Sequence, residues 1–252
     1  LQIIKGEDAV EFPEDGYQGE DIKDLAKEYA DLNGDSLVNV SAEVRKKALV
    51  DYALPKNIKK MQADMEKYKI FYDKWFFESE LHKSGAVKAV VDLLTKKGLT
   101  YEKDGAVWYK NKEVLTQKLL KEGKSQKYID NLELKDDVLI RQNGNPTYFT
   151  ADIAYHKNKF DRGFTTLIDV WGADHHGHVM RMKGAMDAIG YDGDKLNVVL
   201  MQLVKLVKDG ELVRMSKRTG KAIQLGDLLD EVPVDSARFL FNTKEANTQM
   251  DF

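Results

Sequence analysis

Cysteine is absent from the 252-residue chain, which excludes disulfides and thiolate metal sites and agrees with a reducing compartment. A surplus of one charge is absent as well: 39 basic residues stand against 42 acidic ones, a formal net charge of -3. That balance supplies no general attraction to phosphate, so any nucleic-acid surface has to be a local patch. No apolar run approaches the roughly 20 residues that span a bilayer, and no signal peptide is visible. A cytoplasmic protein without a membrane segment is the expectation. Histidine is sparse, five in all, yet three fall in the single stretch "WGADHHGH", residues 171–178. Hydrophobic residues make up 42%, enough for a substantial core. The chain opens on Leu1 and stops at "TQMDF" without a helix-closing signal, so we expect an internal piece of a longer protein.

The first part of the chain is helical in pattern. Residues 19–31 space Ile22, Leu25, Ala26 and Tyr29 at helical intervals. Ser41 reads as an N-cap with Glu43 behind it, opening a helix that ends near residue 53. Pro55, at a favoured first helical position, opens the next, to about residue 68. "FYDKWFFESE" is aromatic and short and reads as a strand or a buried loop. Residues 84–98 form an amphipathic helix ended by Gly98. "LTYEKDGAVWYKN" is a hairpin turning at Asp104-Gly105, and "VLIRQNGNPTYF" is another turning at Asn143-Gly144. The Lys-rich stretch at 110–135 is helical in flavour and shows no role.

Further on the pattern changes. "TTLIDVWG" is continuously apolar, as parallel strands buried on both faces are. "HVMRMKGAMDAIG" is a helix closed by Gly190, and "LNVVLMQLV" is a second buried strand. "VKDGELV" turns at Asp209-Gly210, and helices follow from about Gly226 and Asp235. Strand, helix and strand at this spacing make a βαβ unit of a doubly wound sheet. The expected organisation is an α-rich part over 1–135 and an α/β part over 136–252, with no internal repeat.

Residues suited to chemistry gather in three stretches. "LVRMSKRTGK", 212–221, sets Arg214, Lys217, Arg218 and Lys221 around Ser216 and Gly220. Lysine is a compact charge on a flexible stem, able to follow a phosphate whose charge shifts during reaction. On charge alone a basic surface loop explains the stretch equally well. In "WGADHHGH", Asp174, His175 and His178 have a spacing at which a metal could be held. No further ligand cluster exists, His82 and His156 lying in unrelated contexts, so no metal is expected. His175 to His178 also spell His-x-Gly-His, as an adenylate-forming nucleotide site does. A third reading is a strand-to-helix turn. There Gly172 admits a nucleotide, Asp174 accepts from ribose hydroxyls, and the helix N-terminus favours anions. "PTYFTADIAYHKNKF", 146–160, puts Tyr148 and Asp152 at i, i+4. Taken as residues alone, Asp152 reads as a helix N-cap, Glu78 of "FFES" as a solvated acid and His176 as an ordinary helix residue.

In their order and spacing, "PTYFTADIAYHKNKF", "WGADHHGH" and "MSKRTGK" resemble the arginyl-tRNA synthetases. The Met-Ser-Lys core resembles the KMSK loop of class I aminoacyl-tRNA synthetases, with Arg214 in place of the first lysine. "PEDGYQGEDIKDLAKE" (13–28) and "FYDKWFFESEL" (71–81) resemble segments of the same family, while 110–135 fits poorly, as an insertion would.

The resemblance implies an α/β fold, a partial Rossmann-like parallel sheet with an α-rich N-terminal part and inserted hairpins. It implies ATP-dependent activation of arginine and its transfer to tRNA(Arg). ATP comes with Mg²⁺ as a substrate, no metal is tightly bound, and the protein is a monomer. Lys217, Ser216 and Arg214 would be catalytic. Gly172, Asp174, His175, His178, Met215 and Lys217 would hold ATP, and Glu78, Tyr148 and Asp152 would hold arginine. Two acids facing one planar guanidinium would select it over lysine. Only residues 179–214 separate "WGADHHGH" from the basic loop, so the family's own His-x-Gly-His segment is expected upstream of Leu1 and its anticodon-binding domain beyond Phe252. The fragment alone is then expected to be inactive. Two other functions stay open: a small nucleotidylyltransferase using His175–His178 on phosphate, and a non-catalytic fragment that binds nucleotide or RNA.

Overall fold

The computed structural model describes residues 1–252 except 7, 9, 14, 15, 18, 209 and 213–222. In chain order it begins with α1 (Gln2–Lys5), α2 (Glu20–Asn33), α3 (Ala42–Lys67), α4 (Glu78–Lys83) and α5 (Ala86–Lys96). There follow β1 (Thr100–Lys103), β2 (Ala106–Tyr109), α6 (Asn111–Lys121), α7 (Gln126–Asp130), β3 (Asp137–Ile140) and α8 (Tyr148–Asp161). Then come β4 (Leu167–Gly172), α9 (His176–Ile189), β5 (Leu196–Met201), β6 (Val204–Lys205), β7 (Val207–Lys208), β8 (Glu211–Leu212), α10 (Leu225–Glu231) and α11 (Val234–Phe241). Packing divides the chain into two compact units, one of Leu1–Asp73, Val204–Glu245 and Asp251–Phe252, the other of Lys74–Leu203 and Ala246–Met250. The sequence pattern divides at 135/136 instead, a position that β2 and β3 pair across. Among the described residues no helix is long and apolar enough to cross a membrane.

In the first unit α2 lies against α3, with the rings of Tyr29 and Tyr52 edge to face at 5.0 Å. Ser41 caps α3 as its type predicts, its Oγ accepting from the Val44 amide at 3.3 Å. The break expected before Pro55 does not occur, because α3 runs for 26 residues with Pro55 inside it. Proline removes one backbone hydrogen bond there. Contacts on both sides of it hold the halves in line: Tyr52 packs on Tyr29, and Lys56 pairs with Glu28.

The second unit is built around Leu81 of α4, Val90 and Leu94 of α5, Tyr109 of β2, Leu139 of β3, Ile153 of α8, Met182 and Met186 of α9, and Leu196 of β5, all buried. β1 and β2 form the expected hairpin, with Asp104 and Gly105 at φ 53 and 72, the left-handed pair that a two-residue turn uses. The second hairpin is cut short. The Arg141 amide donates to the Asn145 carbonyl and the Thr147 amide to the Leu139 carbonyl, both at 2.9 Å, flanking a single bridge between Ile140 and Pro146, and the chain then turns into α8 with Thr147 as its cap. The stretch 71–77 is neither strand nor buried loop: Phe71 and Tyr72 are exposed, and Phe76 stacks on Tyr155 at 4.6 Å. The Lys-rich stretch forms α6 and α7, and its apolar side is used, Leu115 and Leu119 being buried.

β4 and β5 are parallel, Leu167 lying opposite Leu196 and Gly172 opposite Met201, with α9 as the crossover. Gly190 ends α9 in the left-handed conformation, φ 103. β4 is not buried on both faces. Leu167 and Asp169 are buried, but Ile168 and Val170 are 69% and 65% exposed. A parallel strand needs helices on both faces to bury both, and among the described residues only one face of β4 is covered.

Candidate functional site

The carboxyl ends of parallel strands are where doubly wound folds bind ligands. At that end of β4 the chain leaves through Gly172, makes a 3-10 turn over Ala173–His175 and enters α9. Gly172 has ordinary extended backbone, and a Cβ there would sit 2.4 Å from Asp174 Oδ1, so a side chain would displace the exposed Asp174 carboxylate. Asp174 and His175 are exposed, their side chains 3.7 Å apart, and His176 is exposed beside them. His178 turns inward. Its ring lies 5.2 Å from that of Trp171 and 5.6 Å from that of Phe149, and its Nε2 lies 3.2 Å from Asp152 Oδ2.

Asp152 is therefore not an N-cap. Thr147 caps α8, its Oγ1 accepting from the Thr150 amide at 3.4 Å, so Tyr148 and Asp152 occupy successive turns of one helix. The hydroxyls of Thr147 and Thr150 each donate at 2.8 Å to a β3 carbonyl, of Val138 and Leu139, which fixes the start of α8 on that strand. Tyr148 is 80% exposed at the helix tip. Asp152 is 44% exposed, and Oδ1 has no partner among the described residues. α9 is anchored nearby by Arg181, whose Nε donates to Asp137 Oδ2 at 3.0 Å and whose guanidinium covers the Phe149 ring at 4.7 Å. Burial holds the Asp137 carboxyl above the usual range despite the Arg181 charge.

His156, in an unrelated context along the sequence, joins this cluster in the structure. His156 lies one turn after Asp152, is buried, and reaches the Asp152 carbonyl through Nδ1 at 2.7 Å. Its Nε2 lies 2.5 Å from Asp169 Oδ2, while Lys159 Nζ donates to Asp169 Oδ1 at 2.7 Å. The signal that would have found it is Asp169 itself, a charged residue in an apolar strand, which must have partners. Glu78 opens α4 in the same unit, more than half exposed, its Oε1 3.3 Å from His82 Nε2. No hydrogen bond joins it to Tyr148 or Asp152 among the described residues. Asp152 and His178 are thus brought together by a hydrogen bond, and Glu78 lies in the same unit with its own contact to His82.

Arg214, Met215, Ser216 and Lys217, with Arg218, Gly220 and Lys221, lie outside the described residues. Among the described residues no three His, Asp or Glu side chains converge as a metal site requires.

The family model for class I (R) tRNA synthetases, catalytic domain, matches residues 12–251. The arginine--tRNA ligases of Ruminiclostridium cellulolyticum and Caldanaerobacter subterraneus are 52% and 53% identical over 100% of this chain, which spans 42% of each relative. A crystal structure assigned as an arginyl-tRNA synthetase of Campylobacter jejuni superposes over 100% of this chain and 50% of its own at a TM-score of 0.80 and 35% identity. The Thermus thermophilus arginyl-tRNA synthetase, at 18% identity and a TM-score of 0.64 over 91% of this chain and 46% of its own, shares the fold. A match from residue 12 to residue 251 leaves only the two ends of the chain outside it, and on that ground the chain belongs to the class I (R) tRNA synthetases as a stretch of their catalytic domain.

Proposed function

We propose that this stretch binds the arginine side chain and part of ATP in an enzyme that activates arginine and transfers it to tRNA(Arg). The observation that carries the reading is Asp152, with one carboxylate oxygen engaged by His178 and the other open beside an exposed Tyr148. A guanidinium presents parallel N–H groups that a carboxylate accepts with both charge and direction. Glu78 supplies a second acid for the same cation. Gly172, Asp174 and His175 take the adenosine side at the strand end, with His178 between the two substrates. The arginine carboxylate attacks the α-phosphate of ATP, giving arginyl-adenylate and pyrophosphate, and the tRNA then accepts the arginyl group. Lys217 stabilises the charge that gathers on the departing pyrophosphate, with Arg214, Met215 and Ser216 shaping its loop. Positioning and charge stabilisation carry such a reaction. Mg²⁺ arrives with ATP, which needs no all-protein cage for it. The enzyme is cytoplasmic and monomeric on this reading.

The engagement of His178 by Asp152 favours this over a nucleotidylyltransferase in which His175–His178 would grip phosphate, since His178 is the less exposed member of the pair at 16%. The test is Asp152→Asn in the full-length protein, followed by arginine-dependent pyrophosphate exchange. The arginine KM should rise by about tenfold or more, the scale of a hydrogen bond to a charged group, with the ATP KM little changed. Equal effects on both substrates remove Asp152 from the arginine pocket.

A further inference from the structure

The ring of His156 lies between two oxygens that impose its proton count. A peptide carbonyl accepts and never donates, so the Nδ1 that reaches the Asp152 carbonyl carries a hydrogen. The Nε2 faces a carboxylate oxygen of Asp169. A neutral ring with its one hydrogen on Nδ1 would turn a lone pair toward that oxygen, so Nε2 carries a hydrogen too unless Asp169 is itself protonated. Asp169 also accepts from Lys159, whose position on the other carboxylate oxygen favours the ionised acid. Burial by itself raises the Asp169 carboxyl, and the hydrogen bonds from His156 and Lys159 more than reverse this, leaving it below the usual carboxylate range.

The groups around His156 agree. From α8 they are Lys159, the Asp152 carbonyl and the Tyr155 ring at 6.1 Å; from β4 they are Asp169 and the Trp171 ring at 6.3 Å. His178 of α9 contacts Asp152 and Trp171. Asp169 is thus the carboxylate bonded to the ring, and it is shared by the ring and Lys159.

We infer that His156 is held as a doubly protonated imidazolium and acts as a positioning residue, tying the turn of α8 that carries Asp152 to β4 through Asp169 and Lys159. Asp152 is then fixed at both ends, its carbonyl by His156 and its carboxylate by His178. A ligand-holding group keeps its geometry when the residues behind it are themselves locked. The kinetic consequence rests on the arginine reading of Asp152; the proton count does not.

Neutron diffraction from crystals of the full-length protein near neutral pH reads the proton count without any substitution. Deuterium on both ring nitrogens of His156 and none on Asp169 is expected. Deuterium on a single ring nitrogen overturns the inference. In exchange assays, His156→Asn should raise the arginine KM about tenfold, the loss of one charge-assisted hydrogen bond behind the site, while the ATP KM stays within about twofold. Asp169→Asn gives the same readout should the first variant not fold. If Asp152→Asn raises the arginine KM and neither of these variants does, the positioning role is overturned and the arginine pocket stands. If Asp152→Asn itself leaves arginine use unchanged, the pocket reading is overturned and the positioning role falls with it.

Discussion

Asp169 shows how one charged residue organises its surroundings. Its carboxylate is buried in an apolar strand and is compensated by His156 and Lys159, which hold its proton affinity low. A carboxyl depressed in the folded state contributes stability above its unfolded pKa and loses that contribution as pH falls through the folded value. Thermal unfolding of the full-length protein between about pH 6 and about pH 3 should therefore show a steeper loss of stability for wild type than for Asp169→Asn. Parallel losses would mean that the pair adds nothing to folding. Lys217 tests the other end of the chemistry. Lys217→Ala should slow arginine activation by roughly 10²–10³-fold, as loss of one group that stabilises transition-state charge does, with the unfolding temperature unchanged. Wild-type rates would remove it from the reaction. Much at this scale was legible from spacing alone: Tyr148 and Asp152 do fall on successive turns. His156 was not, because its partner Asp169 lies thirteen residues away on another element, and only the fold brings them together.

Elements whose geometry is local were readable, and those decided by packing were not. The Asp104-Gly105 turn, the Ser41 cap and the Gly190 helix end follow from backbone preferences of a few residues. The continuity of α3 through Pro55 depends on α2, which no window around the proline contains. The Lys-rich segment is a similar case. Its charges gave no hint that α6 packs on α9, with Leu115 over a glycine. Gly184 makes that approach possible, since a Cβ there would lie 2.6 Å from Leu115 Cδ2. Alanine is the better helix former by about 1 kcal/mol, so propensity alone predicts that Gly184→Ala stabilises. Overpacking a filled contact costs about 1–3 kcal/mol, and Leu115 is fully buried. Denaturant unfolding should therefore find Gly184→Ala destabilised, with Leu115→Ala recovering part of the loss in the double variant. Strict additivity of the two changes would show that the contact is not shared.

At the scale of the whole molecule, the open face of β4 and β5 is the feature that local patterns could not reveal. "TTLIDVWG" has the composition of a strand buried on both sides, yet Ile168 and Val170 are exposed, as are Val199 and Met201, which pair with Val170 and Gly172. Exposed apolar residues in a row on a sheet mark a surface that ordinarily has a partner. The chain spans 42% of the relatives it matches, so the composition of β4 and its exposure are reconciled if the strand is one layer of a larger catalytic domain. On the proposed function, activation would need that further layer, because a site open to water neither excludes it nor orients ATP. The 252-residue chain, purified alone, should bind a hydrophobic dye through the β4–β5 face and show no arginine-dependent pyrophosphate exchange, with or without tRNA. The full-length protein should show exchange in the same assay. Exchange by the isolated chain would mean that the His-x-Gly-His of residues 175–178 is itself the nucleotide motif, and that the smaller nucleotidylyltransferase is the better description.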